Sequence, residues 1–260
     1  MRYENYIFDL YGTLVDIHTD EGQDELWEKL ALFYGYYDAH YTAAELRKRY
    51  DELVSSGEKN MLKKDDVHEA HPEIKIEQVF QALFKEKGVD ADMTLAIHAG
   101  QFFRILSTEY VKLYDGTKEM LAALKDAGKK IYLLSNAQRI FTEYEMHTLG
   151  IAQYFDDIFI SSECGVKKPD SRFFEMLLKK HEIAVDKSIM IGNDAKSDIG
   201  GAKSVGLDTF YIHSNISPEL PTVETIDENG KKVEKSVLPD ADIVLPEMDM
   251  KQILAILQEN

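Results

Sequence analysis

The 260-residue chain has a single cysteine, Cys164, which excludes an internal disulfide framework and fits a reducing, cytoplasmic setting. No apolar run approaches the length that spans a bilayer, so no membrane association is expected. The opening "MRYENYIFDL" lacks the long apolar stretch of a secretory leader. Proline and glycine are few, 6 and 15, and there is no internal repeat or low-complexity tract. Basic residues are also scarce. The 30 Lys and Arg stand against 47 Asp and Glu, a net charge of −17 that argues against nucleic acid and anionic membranes as general partners. A small anionic substrate is not excluded, because backbone N–H groups and one or two basic side chains make a local positive site. The expected partner is therefore a small molecule, with the chain acting as a monomer or a homodimer.

What is present is an alternation of strands and helices. Six short apolar stretches read as strands: the one ending at Asp9, then "KIYLLSN" (130–136), "DIFISS" (157–162), "SIMIGND" (188–194), "DTFYIHS" (208–214) and "ADIVL" (241–245). Helix-period segments lie between them at 117–128, 139–150, 171–182 and 197–206, three of them closing on Gly128, Gly150 and Gly206. This order predicts an α/β fold, a Rossmann-like parallel sheet with helices on both faces. Residues 17–114 carry only helical patterning and are far too long for one crossover, which predicts an inserted all-helical domain. The division is 1–16 and 115–260 for the core and 17–114 for a helical cap able to act as a lid. Residues 214–242 hold three of the six prolines and alternate in period two about Asn229-Gly230, a hairpin signal.

In an open parallel sheet, ligands bind at the carboxyl ends of the strands. Four such ends deliver polar residues: Asp9, Ser135-Asn136, the "SSECGVKKPD" loop with Lys167 and Lys168, and "GNDAKSD" with Asn193, Asp194 and Asp198. Asp9 at a strand end suits nucleophilic attack with a covalent aspartyl intermediate. Mg²⁺ takes one or two carboxylates plus waters, and Asp9, Asp194 and the Tyr11 backbone carbonyl are its candidate ligands. Ser135, nearby N–H groups and Lys168 are placed to hold the remaining oxygens and neutralise charge.

These four motifs resemble the haloacid dehalogenase-like (HAD) hydrolase superfamily, in its subgroup with a helical cap after the first motif (C1 cap, subfamily IA). "FDLYGTLVD" resembles the first motif, "LLSNA" the second, "GVKKPDSRFF" the third and "MIGNDAKSDIGGAKSVG" the fourth. The resemblance implies Asp9 as nucleophile, Ser135 on the phosphoryl group and Lys168 as the motif lysine. Tyr11, Gly12, Thr13 and Asn136 fall within the matched motifs and are substrate-binding candidates, with Asn193 and Asp198 in support. Two residues depart from the phosphatase pattern. Tyr11 stands where family phosphatases carry the Asp that protonates the leaving alcohol, and a phenol with a pKa of about 10 replaces it poorly. The 2-haloacid dehalogenases carry "YGTL" there, since halide leaves without a proton. Asn193 stands where many relatives have Asp, but Asp194 matches the direct metal ligand of related mutases.

Three readings follow: a Mg²⁺-dependent phosphatase of a small metabolite, a metal-independent dehalogenase, and a degenerate member kept as a binding module. The first is preferred, because two carboxylates converging on Asp9 call for a cation. Without the second acid it would favour good leaving groups or borrow a cap residue. Dehalogenation would need a cap arginine, with Arg47, Arg49 and Arg104 as candidates. "RKRY" (47–50) reads as an anion contact or a solvated face, and "FYGYYDAHY" (33–41) as core more than pocket. "HEAH" (68–71) reads as surface, Asp16 as a turn or cap residue, Lys167 as a solvated neighbour and Cys164 as a loop residue. Asp198 reads equally as an orienter of Lys168 or as a helix cap.

Overall fold

The computed structural model describes residues 2–64, 71–226 and 231–259. Ten strands and ten α-helices occur among them. The strands are β1 (Asn5–Phe8), β2 (Val15–Thr19), β3 (Thr108–Leu113), β4 (Lys130–Ser135), β5 (Asp157–Ile160), β6 (Ser188–Gly192), β7 (Asp208–Ile212), β8 (Thr222–Ile226), β9 (Lys232–Ser236) and β10 (Ile243–Leu245). The first four helices lie between β2 and β3: α1 (Asp24–Tyr36), α2 (Ala43–Lys64), α3 (Ile76–Glu86) and α4 (Met93–Ser107). The others are α5 (Thr117–Asp126), α6 (Arg139–Leu149), α7 (Ser161–Cys164), α8 (Ser171–Lys180), α9 (Gly201–Ser204) and α10 (Met250–Glu259).

All six expected strands join one sheet in the order β10-β7-β6-β1-β4-β5, and every pairing in it is parallel. This is the α/β, Rossmann-like architecture the alternation predicts. Period-two side-chain placement explains how both faces are covered. Tyr6, Phe8, Ile131, Leu133, Ile189 and Ile191 share one apolar cluster with Met120, Leu124 and Ile253 of α5 and α10. Their immediate neighbours Ile7, Tyr132, Leu134 and Met190 share the other with Phe173, Phe174 and Leu177 of α8. Each buried side chain of this kind contributes about 1.5–3 kcal/mol. β1 lies inside the sheet with β4 on one side and β6 on the other, so Asp9 leaves the strand between two further strand ends. The glycine stops hold as well: Gly128, Gly150 and Gly206 all take positive φ.

Helices α1–α4 pack on a third apolar cluster, built around Trp27, Leu30, Tyr34, Leu46, Phe80, Phe84 and Phe103. Tyr34 is buried and donates to the Phe80 carbonyl at 2.9 Å, whereas Tyr36 is exposed, so the aromatic run is divided between core and surface. The reading of 17–114 as purely helical is corrected in one respect. Its two ends form an antiparallel ribbon, β2 against β3, with Asp16 opposite Lys112. Alternation in "TEYVKL" is the local signal, but six residues of it mean little until the partner strand is known. The expectation for Asp16 is corrected by the same ribbon. It is a buried strand residue that pairs with Lys112 at 3.3 Å and accepts from Asn215 at 2.9 Å. The segment 197–206 is also not one α-helix: Ala195–Gly200 is π-helical and leads into α9.

Strands β8 and β9 pair antiparallel after β7. The Asn229-Gly230 turn expected between them lies outside the described residues, as does His68 of "HEAH". His71 is described, and its backbone meets the Lys168 loop: Lys167 N donates to His71 O at 2.8 Å, and His71 N to Asp170 at 3.2 Å. No described helix is long and apolar enough to cross a membrane.

Candidate active site

Four strand ends converge on Asp9. The residue is 8% exposed and its N–H donates to Ile191 O at 2.9 Å, which continues the β1–β6 pairing into the loop. Lys168 is buried, and its Nζ lies 2.7 Å from Asp9 Oδ1, 2.7 Å from Asp198 Oδ1 and 2.7 Å from the Leu134 carbonyl. All three ammonium protons therefore have acceptors. Burial opposes the charge on Lys168, but Asp198 and Asp9 outweigh it and hold the group above its ordinary value. Burial pushes the Asp198 carboxyl above the usual carboxylate range, against the pull of Lys168.

The loop carrying Lys168 is held by Asn136. Its amide nitrogen donates to Lys168 O at 2.9 Å, and its oxygen accepts from Lys168 N at 2.8 Å. Beside it, Ser135 at the end of β4 buries a hydroxyl with no hydrogen-bond partner. Such a group is unusual in a native interior and marks a place where a bound acceptor would complete the bonding. Asp198 Oδ2 accepts from Asp194 N at 3.0 Å, so Asp198 both grips Lys168 and braces the fourth loop. Asp194 caps the π-helical turn, its oxygens accepting from Lys196 N, Ser197 N and Ser197 Oγ at 2.8–3.0 Å.

Gly12 has φ +85°, and a Cβ there would lie 2.1 Å from Asn193 Nδ2. Only glycine meets both demands. Asn193 in turn accepts from Thr13 Oγ1 at 3.4 Å and donates to Ser217 Oγ at 3.3 Å. The loop after β7 is thereby drawn over the site. A pocket of about 200 Å³ results, lined by Asp9, Asn136, Lys168, Asp194 and, from that loop, Ile216 and Pro218. Ser217, Ile216 and Pro218 were not foreseen; their only signal was proximity in sequence to the end of β7.

Tyr11 also lines this pocket, but its hydroxyl is directed elsewhere. It donates to Glu145 Oε2 at 2.6 Å and lies 3.0 Å from Thr142 Oγ1, both on α6. Arg104 of α4 grips the same Glu145 at 2.7 Å and sits over the Tyr11 ring. Burial, with Glu145 next, drives the Tyr11 hydroxyl far above its ordinary value. Nothing in the sequence pairs Glu145 with Tyr11.

The arginines expected near the substrate are not brought to Asp9. Arg49 is paired with Glu86 and Glu52 on the helical segment. Arg47 donates to Gly22 O at 3.2 Å and lines a different groove, beside Trp27 and Asp51. Lys167 lies 3.7 Å from Glu58 and 3.9 Å from Glu73. Cys164 is half-buried at the end of α7, and burial raises its thiol. Among the described residues no group of three His, Cys, Asp or Glu could hold a metal ion. Three carboxylates line the pocket, and with both Asp198 oxygens taken by Lys168 and the Asp194 N–H, Asp9 and Asp194 remain as the sparse oxygen set that Mg²⁺ accepts when waters complete its shell.

A parallel α/β sheet with a lysine-paired aspartate at its switch point defines a hydrolase-type site on a Rossmann-like core. A family model described as haloacid dehalogenase-like hydrolase matches residues 3–206, and the chain belongs to that family. It is 25% identical over 229 residues to the HAD-hydrolase YfnB of Bacillus subtilis, covering 85% of this chain and 89% of that one. It is 28% identical over 145 residues to the phosphoserine phosphatase of Thermus thermophilus, covering 56% of this chain and 57% of that one. The crystal structure of YfnB bound to magnesium superposes with TM-score 0.53 at 19% identity, covering 99% of this chain and 100% of that one. The 2-haloacid dehalogenase of Pseudomonas syringae pv. Tomato gives TM-score 0.57 at 18% identity over 99% of both chains. These structural likenesses concern the fold. The chain is a hydrolase, and its curated relatives with assigned activities support a phosphatase.

Proposed function

We propose that the chain is a Mg²⁺-dependent phosphatase of a small phosphorylated metabolite that works through a phosphorylated Asp9. The observation that carries this reading is the contact of Asp9 with Lys168 Nζ at 2.7 Å in a pocket shared with Asp194. Asp9 Oδ1 is held by the ammonium, which leaves Oδ2 for attack on phosphorus. The unpartnered Ser135 hydroxyl and the Lys168 charge stabilise the phosphoryl oxygens. Asp9, Asp194 and the Tyr11 carbonyl would hold Mg²⁺, which when bound neutralises phosphoryl charge. Magnesium in the YfnB crystal structure and the phosphatase activities of relatives support the assignment. The four-helix segment 17–114 is proposed as the cap. It is joined to the core through the β2–β3 ribbon, the contacts of residues 71–76 and the Arg104–Glu145 pair.

Dehalogenation is the weaker reading, because neither Arg47 nor Arg49 nor Arg104 lines the Asp9 pocket. The test is phosphate release from a metabolite panel with Mg²⁺ and with EDTA, using Asp9→Asn as control. Release that needs both Mg²⁺ and Asp9 is the expected result. Halide release from 2-haloacids in EDTA would replace this reading with the dehalogenase. Binding of phosphorylated ligands without any turnover would replace it with the binding module.

A further inference from the structure

Displacement at phosphorus sends the electron pair of the broken P–O bond away on the leaving oxygen. An alkoxide is a strong base, so an alkyl ester needs a proton donor beside that oxygen. A carboxylate or a phosphate leaves as a stable anion, since their acids ionise at about 4 and about 6. The donors that line the Asp9 pocket are already committed, both Asp198 oxygens accept from Lys168 and the Asp194 N–H, and the one unpartnered hydroxyl beside it, that of Ser135, is assigned to the phosphoryl oxygens. Lys168 spends its three protons on Asp9, Asp198 and Leu134 O, and Ser197 donates to Asp194. The Tyr11 hydroxyl is turned to Glu145 and Thr142, and Arg104 holds Glu145 in place from α4. No described residue of the helical segment 17–114 lines the pocket to supply a substitute.

We propose that this site, on the phosphatase reading above, acts on acyl phosphates and phosphoanhydrides, whose leaving groups depart without a proton. In the first step an Asp9 oxygen attacks phosphorus. The bond to the leaving oxygen breaks, and its electron pair departs on a carboxylate or a phosphate. In the second step water attacks the phosphorus of the aspartyl phosphate. The bond to Asp9 returns its pair to the carboxylate, and both water protons end on the released dihydrogen phosphate.

The experiment measures kcat/KM of the wild-type chain with Mg²⁺ on acetyl phosphate, inorganic diphosphate, p-nitrophenyl phosphate and glycerol 3-phosphate. Asp9→Asn supplies the background of spontaneous hydrolysis. The expected result is that acetyl phosphate exceeds glycerol 3-phosphate by at least about 100-fold, the ordinary contribution of a general acid. Rates for the two within about tenfold of each other, or 1.4 kcal/mol, would overturn the inference and leave the phosphatase reading standing. Absence of Asp9-dependent release from every compound would overturn both.

Discussion

At the scale of single residues, the site depends on positions where one residue meets two demands at once. Gly12 is the sharpest case, because its backbone is left-handed and its missing Cβ makes room for Asn193. Gly12→Ala is expected to cost about 1–3 kcal/mol through backbone strain and displacement of Asn193. Urea unfolding measures this as a lower midpoint with an unchanged slope. A midpoint equal to wild type would show that Asn193 moves freely and does not hold the loop after β7. Asp198 is a second such residue. Its position among the motifs was legible in the sequence and its bond to the Asp194 N–H is local, but its hold on Lys168 depends on two loops meeting.

At the scale of elements, α4 and α6 meet through the Arg104–Glu145 pair, with side chains 18% and 9% exposed. Gly100 lies in the same contact, since a Cβ there would reach Ile140 at 2.6 Å and Phe80 at 2.9 Å. Breaking a buried pair from one side strands the other charge. Arg104→Ala is therefore expected to destabilise by about 3–5 kcal/mol. The double replacement Arg104→Met with Glu145→Leu is expected to cost less than the sum of the single changes, because no charge is left alone. A double-mutant cycle by thermal or urea unfolding checks this, and additive losses would mean the pair is not coupled. The helices themselves were readable from their 3.6-residue period. The β2–β3 ribbon was not, because a short alternating stretch becomes a strand only beside its partner, about 90 residues away in sequence.

At the scale of the whole molecule, acid stability rests on carboxylates held by the fold. Asp156 is the clearest. It is partly buried, yet hydrogen bonds from Lys125, Ile131 N and Lys130 outweigh burial and lower its carboxyl from 3.8 to about 2. A lowered carboxylate contributes stability that is fully present above its unfolded value and is lost as pH falls through the folded one. The window for this group is therefore pH 3.8 down to about 2. Asp156→Asn is expected to be less stable than wild type at neutral pH, with the gap closing across that window. Unfolding measured over a pH series checks it, and a gap constant from neutral pH to about 2 would remove Asp156 from the account.

The chain by itself determined the six strands of the parallel sheet, most of the helices, and which polar residues stand at strand ends. Those properties follow from periodicity and from short motifs, and both are local. Parallel pairing then carried Asp9, Ser135, Lys168 and Asp194 to one edge without further information, since strand direction alone orders their ends. Only the tertiary structure decided what Tyr11 does. Its hydroxyl could not be assigned from "FDLYGTLVD", because the partners that claim it lie on α6, far along the chain. The same holds for Arg104, Ser217 and Ile216. A side chain's partner at long range is set by how elements pack, and single-sequence periodicity records which face is buried but not what it is buried against.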